Sequence, residues 1–320
     1  MSQVNVLVTW RGEDKRLEPI RAVSRRVNVL TATEQEDRLR LAPEAEVWFG
    51  WGFNREVFDV ARRLRWIQTT SAGVDRLLFQ ELRRSDIIVT NASGVYSVPM
   101  AEQVLGMMLA LARGLHICVR EQSQGRWARP ALRGKTDVLE GKTCVVLGLG
   151  DVGTEVARRA KAFGMEVIGI RRRPASKPPC VDEVVGAGRM HEALARADYL
   201  VLALPLTEAT RHILDADALS VMKPTACVLN VGRGALIDEP ALITALQHGR
   251  LAGTGLDVFE TEPLPEDSPL YQMENVILTP HSSGHSPKNR ERLVALFCDN
   301  LTRYLAGQPL RNVVDKEAGY

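Results

Sequence analysis

The stretch Thr143-Cys144-Val145-Val146-Leu147-Gly148-Leu149-Gly150-Asp151-Val152-Gly153 constrains the fold of this 320-residue chain more than any other. Strand-forming residues run straight into Gly-x-Gly-x-x-Gly, and a helical pattern follows over 152–163, ended by Gly164. Such a glycine pattern is weak by itself, but between a strand and a helix it marks a dinucleotide-binding turn. Gly148 permits the tight turn, Gly150 lets a pyrophosphate approach the backbone, and Gly153 lets the helix pack closely on the strand. The helix start, at Asp151 and Val152, turns N–H groups and a partial positive charge towards phosphates. An acid at Asp151, beside a pyrophosphate, has to turn its side chain to solvent.

The same rhythm of short apolar runs and amphipathic stretches fills the chain, which predicts an α/β protein with parallel sheets. Strands are expected over 4–9, 27–30, 47–50, 66–69 and 87–90, then over 143–147, 166–170, 199–203, 226–230, 253–258 and 276–279. Helices are expected over 54–64, 98–115, 152–163, 239–248 and 288–305. The 98–115 segment has hardly any polar face, so it is either a core helix or a subunit contact. Residues 117–140 are polar and basic (Arg120, Arg126, Arg129, Arg133, Lys135) and read as a long connection.

Length suggests two domains. Forty-one basic against 39 acidic side chains give a net charge of +2, which makes no case for a nucleic-acid or polyanion partner. Cys118, Cys144, Cys180, Cys227 and Cys298 are odd in number and contain no C-x-x-C pair, so neither a disulfide framework nor a zinc site is indicated. Neither a signal peptide nor a membrane span is visible, and a cytoplasmic, reducing location is expected.

The strand after the glycine turn ends Gly169-Ile170-Arg171-Arg172-Arg173-Pro174. An NAD enzyme usually has an acid there to hold the ribose hydroxyls, whereas guanidinium groups suit a 2′-phosphate. NADP(H) is therefore expected over NAD(H), read by Arg171 and Arg172. Three further signals stand at strand ends: Asn230-Val231-Gly232-Arg233-Gly234, Asp257 through Glu262-Pro263-Leu264, and Pro280-His281. In open α/β sheets, ligands sit outside the carboxyl ends of the strands. An Arg between two glycines is placed for an anion, and a His with a carboxylate 19 residues earlier is a candidate acid–base pair.

With these signals in order, the sequence resembles the D-isomer-specific 2-hydroxyacid dehydrogenase family. The resemblance also rests on Ser71-Ala72-Gly73-Val74-Asp75, Ala101-Glu102 and Leu204-Pro205-Leu206-Thr207 with Thr210. It implies two Rossmann-like domains: a flavodoxin-like substrate domain (1–97 and 286–320) and a dinucleotide-binding domain (98–285). It implies a homodimer through the 98–140 region. By the same resemblance, His281 is the acid–base residue, Glu262 its partner, and Arg233 the group holding the carboxylate and carbonyl. Amides of Ala72, Gly73 and Val74 take the other side of the carboxylate. Asp257, Val231 and Gly232 meet the nicotinamide, and Leu204, Pro205, Thr210 and Gly284 complete the cofactor site.

The chemistry fits those residue types. Hydride transfer to a keto carbon leaves negative charge on oxygen, which Arg233 stabilises while the imidazolium of His281 donates a proton. An anionic Glu262 favours that charged imidazole. Reduction should then slow as pH rises, and oxidation should behave oppositely. Glu262 argues against the formate dehydrogenases of the superfamily, and the absence of a domain after Tyr320 disfavours the longer phosphoglycerate dehydrogenases. Asp151 inside the turn and Ser282-Ser283 after His281 depart from the residues that many members carry.

The rival is a binding protein on the same fold, an NAD(H)-sensing corepressor of the C-terminal-binding-protein type, which would keep Arg233, Glu262 and His281. A redox sensor should favour NAD(H). Trp51, Phe53, Tyr96 and Met100 are candidates for side-chain specificity. No second basic residue is assigned to a diacid, so the substrate expected is a small 2-keto acid such as glyoxylate or hydroxypyruvate.

Overall fold

The computed structural model describes residues 3–10, 17–172 and 177–320. Arg173 and Pro174 of the basic turn lie outside the described residues. The chain forms two compact units, Met1–Tyr96 with Ser286–Tyr320, and Ser97–His285.

The first unit is built on five parallel strands: β1 (Val4–Val8), β2 (Val27–Thr31), β3 (Val47–Gly50), β4 (Trp66–Thr69) and β5 (Ile88–Thr90). Their order is β2-β1-β3-β4-β5, the flavodoxin-like arrangement. The central strands are apolar on both sides because helices cover both faces. On one face, helix Asn289–Leu305 lays Val294, Phe297 and Leu301 against Val6, Phe49 and Trp66. Phe297 stacks on Phe49 with ring centroids 3.8 Å apart. Burying such an aromatic contributes roughly 1.5–3 kcal/mol, which ties the C-terminal helix to strands near the N-terminus. The opposite face packs Leu7, Trp48, Ile67 and Val89 beneath Val57 and Leu82.

The second unit holds seven parallel strands: β6 (Thr143–Leu147), β7 (Glu166–Arg171), β8 (Glu183–Gly186), β9 (Tyr199–Leu202), β10 (Cys227–Asn230), β11 (Gly253–Leu256) and β12 (Val276–Leu278). The order β12-β11-β10-β9-β6-β7-β8 is that of a doubly wound sheet. Strand β8 was not anticipated. It is an edge strand, with only Val185 fully buried, so its sequence lacks the apolar run that betrays the others.

The long apolar helix spans Ser97–Arg113 and buries Ala101, Val104, Leu105, Met107 and Met108 in the core of this unit. Gly114, at φ 65°, then turns the chain into a second helix, Leu115–Ser123. The start of the expected 117–140 connection is therefore helical; its basic composition hid the pattern. Cys144 and Cys227 are buried, which pushes each thiol up to about 12, while Cys118, Cys180 and Cys298 are only partly covered. Among the described residues, no single helix is long and apolar enough to cross a membrane.

Register sets where the loops begin. Leu147 pairs with Leu202, Leu202 with Asn230, Asn230 with Leu256, and Leu256 with Leu278. Gly148, Ala203, Val231, Asp257 and Thr279 thus leave the large sheet from one row, at the carboxyl ends of its strands.

Candidate active site

At the head of β6, the glycine turn is as cramped as its sequence predicts. Gly148 has φ 102°, and a Cβ there would stand 2.7 Å from the Ala203 carbonyl oxygen. A Cβ on Gly153 would run into the Gly148 carbonyl, so helix Asp151–Ala162 can approach the strand only with glycine there. Gly150, by contrast, faces open space and leaves its helix end without a side-chain cap. An uncovered backbone at a helix N-terminus is what a pyrophosphate requires. The turn lies between β6 and β9, where the strand order reverses. Asp151 is exposed and Val152 is partly buried on the core.

At the end of β7, Arg171 donates from Nη2 to the Leu149 carbonyl at 2.7 Å, which draws its guanidinium back over the glycine turn. Arg172 is exposed beside it. After β9, Thr210 closes the Leu204-Pro205 loop on itself. Its hydroxyl accepts from the Thr207 N–H and donates to the Pro205 carbonyl, both at 2.8 Å.

Asn230, wholly buried at the end of β10, shapes the arginine loop. Its amide donates to the Arg233 carbonyl at 2.9 Å and accepts from the Gly232 N–H at 3.0 Å. Val231 is buried, and Gly232 leaves room for Leu236. A Cβ on Gly234 would overlap the Phe259–Glu260 backbone, so the loop presses against the next one. The Arg233 side chain, half-buried, donates from Nη1 to the Gly232 carbonyl at 2.8 Å. Asn230 was quoted within the motif but given no role; a polar residue closing the apolar run 226–229 was the available signal.

Asp257 is fully buried and organises the histidine loop. It accepts from the Thr279 hydroxyl at 2.5 Å, from the Ser282 N–H at 2.9 Å, and from the Ser283 N–H at 3.0 Å. Its carbonyl takes the His281 N–H at 2.8 Å. Gly284 sits within the turn closed from Ser282 to His285. So held, His281 adopts φ 50°, a conformation that costs a non-glycine residue about 1–3 kcal/mol and persists only when its surroundings enforce it. Its Nδ1 meets Glu262 Oε2 at 2.8 Å, and the other Glu262 oxygen accepts from the Phe259 N–H at 3.2 Å. The imidazole is exposed, and its Nε2 makes no protein hydrogen bond among the described residues.

In the first unit, the Ser71–Val74 loop follows β4. The Tyr96 hydroxyl donates to the Thr70 carbonyl at 2.5 Å, and the Asn91 amide donates to the Ala72 carbonyl at 2.9 Å. Ala72 and Gly73 are partly exposed, while Val74 turns into the core. The four specificity candidates separate here. Phe53 is core, edge-on to Trp48, and Met100 packs on the core of the second unit. Tyr96 is committed to Thr70, and Trp51 alone is broadly exposed.

A glycine turn open to a pyrophosphate, on a doubly wound sheet whose adjacent loops carry an arginine and a histidine–carboxylate pair, defines an NAD(P)-binding oxidoreductase. Residues 105–283 match the family described as D-isomer specific 2-hydroxyacid dehydrogenase, NAD binding domain. The chain is 36% identical over 268 residues to a glyoxylate reductase of Korarchaeum cryptofilum, covering 82% of this chain and 79% of that one. It is 35% identical over 318 residues to a D-3-phosphoglycerate dehydrogenase of Methanocaldococcus jannaschii, covering 98% of this chain but only 59% of that longer relative. An NADPH-dependent glyoxylate/hydroxypyruvate reductase from Sinorhizobium meliloti, solved with NADP and sulfate, superposes with a TM-score of 0.86 at 26% identity, over 99% of this chain and 100% of that one. The chain belongs to the D-isomer specific 2-hydroxyacid dehydrogenase family.

Proposed function

We propose that this protein reduces a small 2-keto acid of the glyoxylate or hydroxypyruvate type to its D-2-hydroxy acid with NADPH. The observation that carries this reading is the His281–Glu262 contact through Nδ1, which leaves Nε2 for a substrate oxygen. In that arrangement Glu262 fixes the tautomer and orientation of the ring, as a carboxylate partner does for a catalytic histidine. The imidazolium hands its Nε2 proton to the carbonyl oxygen. Arg233 takes the substrate's carboxylate and steadies the charge developing on that oxygen. In the first unit, the Tyr96 and Asn91 hydrogen bonds fix the loop whose Ala72, Gly73 and Val74 amides are the expected carboxylate-binding backbone. Bound NADPH supplies the hydride.

Gly148, Gly150, Asp151, Val152 and Gly153 would receive the pyrophosphate, and Arg171 and Arg172 the 2′-phosphate. Leu204, Pro205, Thr210, Val231, Gly232 and Gly284 would line the rest of the cofactor, with Asp257, expected there too, buried behind the Ser282 and Ser283 amides it holds. Support for NADPH comes from the missing acid at the end of β7 and from NADP in the Sinorhizobium meliloti enzyme. The exposed apolar residues Leu115, Val119, Trp127 and Val138 of the 98–140 region support a homodimer, which light scattering would test. The deciding experiment is a panel of 2-keto acids assayed with both cofactors. Turnover of glyoxylate or hydroxypyruvate is expected, with kcat/KM higher for NADPH than for NADH, and replacing Arg171 and Arg172 by Ala should reduce that ratio by about 10- to 100-fold, since each charge-assisted hydrogen bond is worth roughly 1.5–3 kcal/mol. A preference for NADH refutes the cofactor assignment.

A further inference from the structure

The loop that follows β4 turns its carbonyls one way and its amides the other. The Thr70 carbonyl takes the Tyr96 hydroxyl at 2.5 Å, the Ser71 carbonyl the Ala92 N–H at 3.0 Å, and the Ala72 carbonyl the Asn91 side-chain amide at 2.9 Å. Each donor comes from residues 91–96, the segment just after β5. A trans peptide unit is planar and points its N–H opposite to its C=O, so a held carbonyl also aims the next residue's N–H. Holding the Ser71 and Ala72 carbonyls thereby directs the Ala72 and Gly73 N–H groups away from residues 91–96. Among the described residues, the N–H groups of Ala72, Gly73 and Val74 have no hydrogen-bond partner in the protein. Consecutive amides of this kind suit an anion.

The segment that does the aiming is itself held by residues far along the chain. The Val314 N–H donates to the Val89 carbonyl at 2.8 Å and Val313 bridges Thr90, so the chain after helix Asn289–Leu305 runs antiparallel to the end of β5. There Asn312 adopts φ 56°, a left-handed conformation that asparagine tolerates better than most residues. Its carbonyl accepts the Asn91 N–H at 3.1 Å, and its side-chain amide donates to the Ser93 carbonyl at 2.9 Å and the Asn91 carbonyl at 3.4 Å. Buried Gln68 reaches the same Asn91 carbonyl at 3.0 Å, and Asn91 Oδ1 accepts from the Ser93 N–H at 3.0 Å. Every polar atom of Asn91 is thus engaged, which leaves its amide one direction, onto Ala72. Lys316 fastens the C-terminal segment at the other end of β5, where its Nζ donates to the Ser85 carbonyl at 2.7 Å.

Building on the 2-keto acid reading above, we infer that Asn312, in the C-terminal segment, is a positioning residue for the substrate carboxylate. It touches no substrate; acting through Asn91, it fixes the direction of the Ala72 and Gly73 amides. N312G tests this, because glycine keeps the left-handed backbone while removing both side-chain hydrogen bonds. With NADPH, the KM for glyoxylate and hydroxypyruvate should rise about 3- to 10-fold, the range for loss of a net hydrogen bond. The inhibition constant of oxalate, a non-reacting analogue of glyoxylate, should rise in parallel. Meanwhile kcat should stay within about threefold and the KM for NADPH within about twofold, the pattern of lost substrate binding. N91A removes the bond to Ala72 itself and should move the same parameters at least as far. K316M removes the fastening at the other end of β5 and should lower the midpoint of denaturant unfolding without raising KM. A merely structural Asn312 would lower the amount of active enzyme, and with it kcat, but would leave KM and the oxalate constant where they are. Unchanged values of both in either N312G or N91A overturn this inference alone, as does an equal rise in K316M. No turnover of any 2-keto acid by the wild type overturns the reductase reading and this inference together.

Discussion

Two histidine–carboxylate pairs stand in the second unit, His281 with Glu262 and His212 with Glu260. Both histidines have φ 50°, both are partly exposed, and their acids are two residues apart in the same loop. The difference is which nitrogen is spent. His281 meets its acid through Nδ1 and keeps Nε2, the atom farther from the backbone, for another molecule. His212 meets Glu260 through Nε2, so its outward nitrogen is consumed by the protein. Its backbone N–H is tied to the Ala235 carbonyl at 2.8 Å, and the Glu260 N–H is drawn to Glu239 at 3.3 Å. Burial holds the Glu239 carboxyl above the ordinary range, with the Glu260 N–H pulling the other way. One pair leaves a ring nitrogen open to another molecule; the other staples the β9 loop to the β11 loop. Proximity of a histidine and an acid is therefore not evidence of catalysis until the free nitrogen is identified.

The largest expected effect breaks the first pair. His281→Gln should lower kcat for keto-acid reduction by roughly 10²–10⁴-fold, the usual contribution of a positioned general acid, with NADPH affinity by fluorescence titration changed less than about threefold. Activity within a few-fold of wild type would move the acid–base role elsewhere. Glu262→Gln comes next, at about 10-fold in kcat at neutral pH. It removes the carboxylate that orients the ring through Nδ1, so the loss should fall on kcat rather than on KM. An unchanged kcat would leave Glu262 with a packing role only. His212→Gln should matter least, with kcat within about threefold and a stability loss of about 0.2–1 kcal/mol in denaturant unfolding, as for other exposed ion pairs. A loss as large as that of Glu262→Gln would erase the distinction between the pairs.

Local signals carried much of this protein. The glycine turn was legible because each glycine answers a steric demand of its own neighbourhood, and Gly148 and Gly153 meet those demands in the structure. Central strands were legible because burial on both faces forces an apolar run, and β8 was not, since an edge strand escapes that demand. The break at Gly114 was visible as a letter but not as a bend, because its left-handed φ is chosen by the packing around it.

By itself, then, the sequence determined the α/β class, the nucleotide turn, and the order of Arg233, Glu262 and His281 along the chain. All of these are written in short windows, where one residue's sterics or charge suffices. Only the tertiary structure decided which nitrogen of each histidine is spent, that Phe53 is core while Trp51 is not, and that Asp257 fastens the loop bearing His281. It also brought Arg38, an unremarked charge on an amphipathic helix, against a glycine 14 positions away at the carboxyl edge of the sheet. Hydrogen-bond partners and desolvation depend on what arrives from distant parts of the chain, and no local window contains that information.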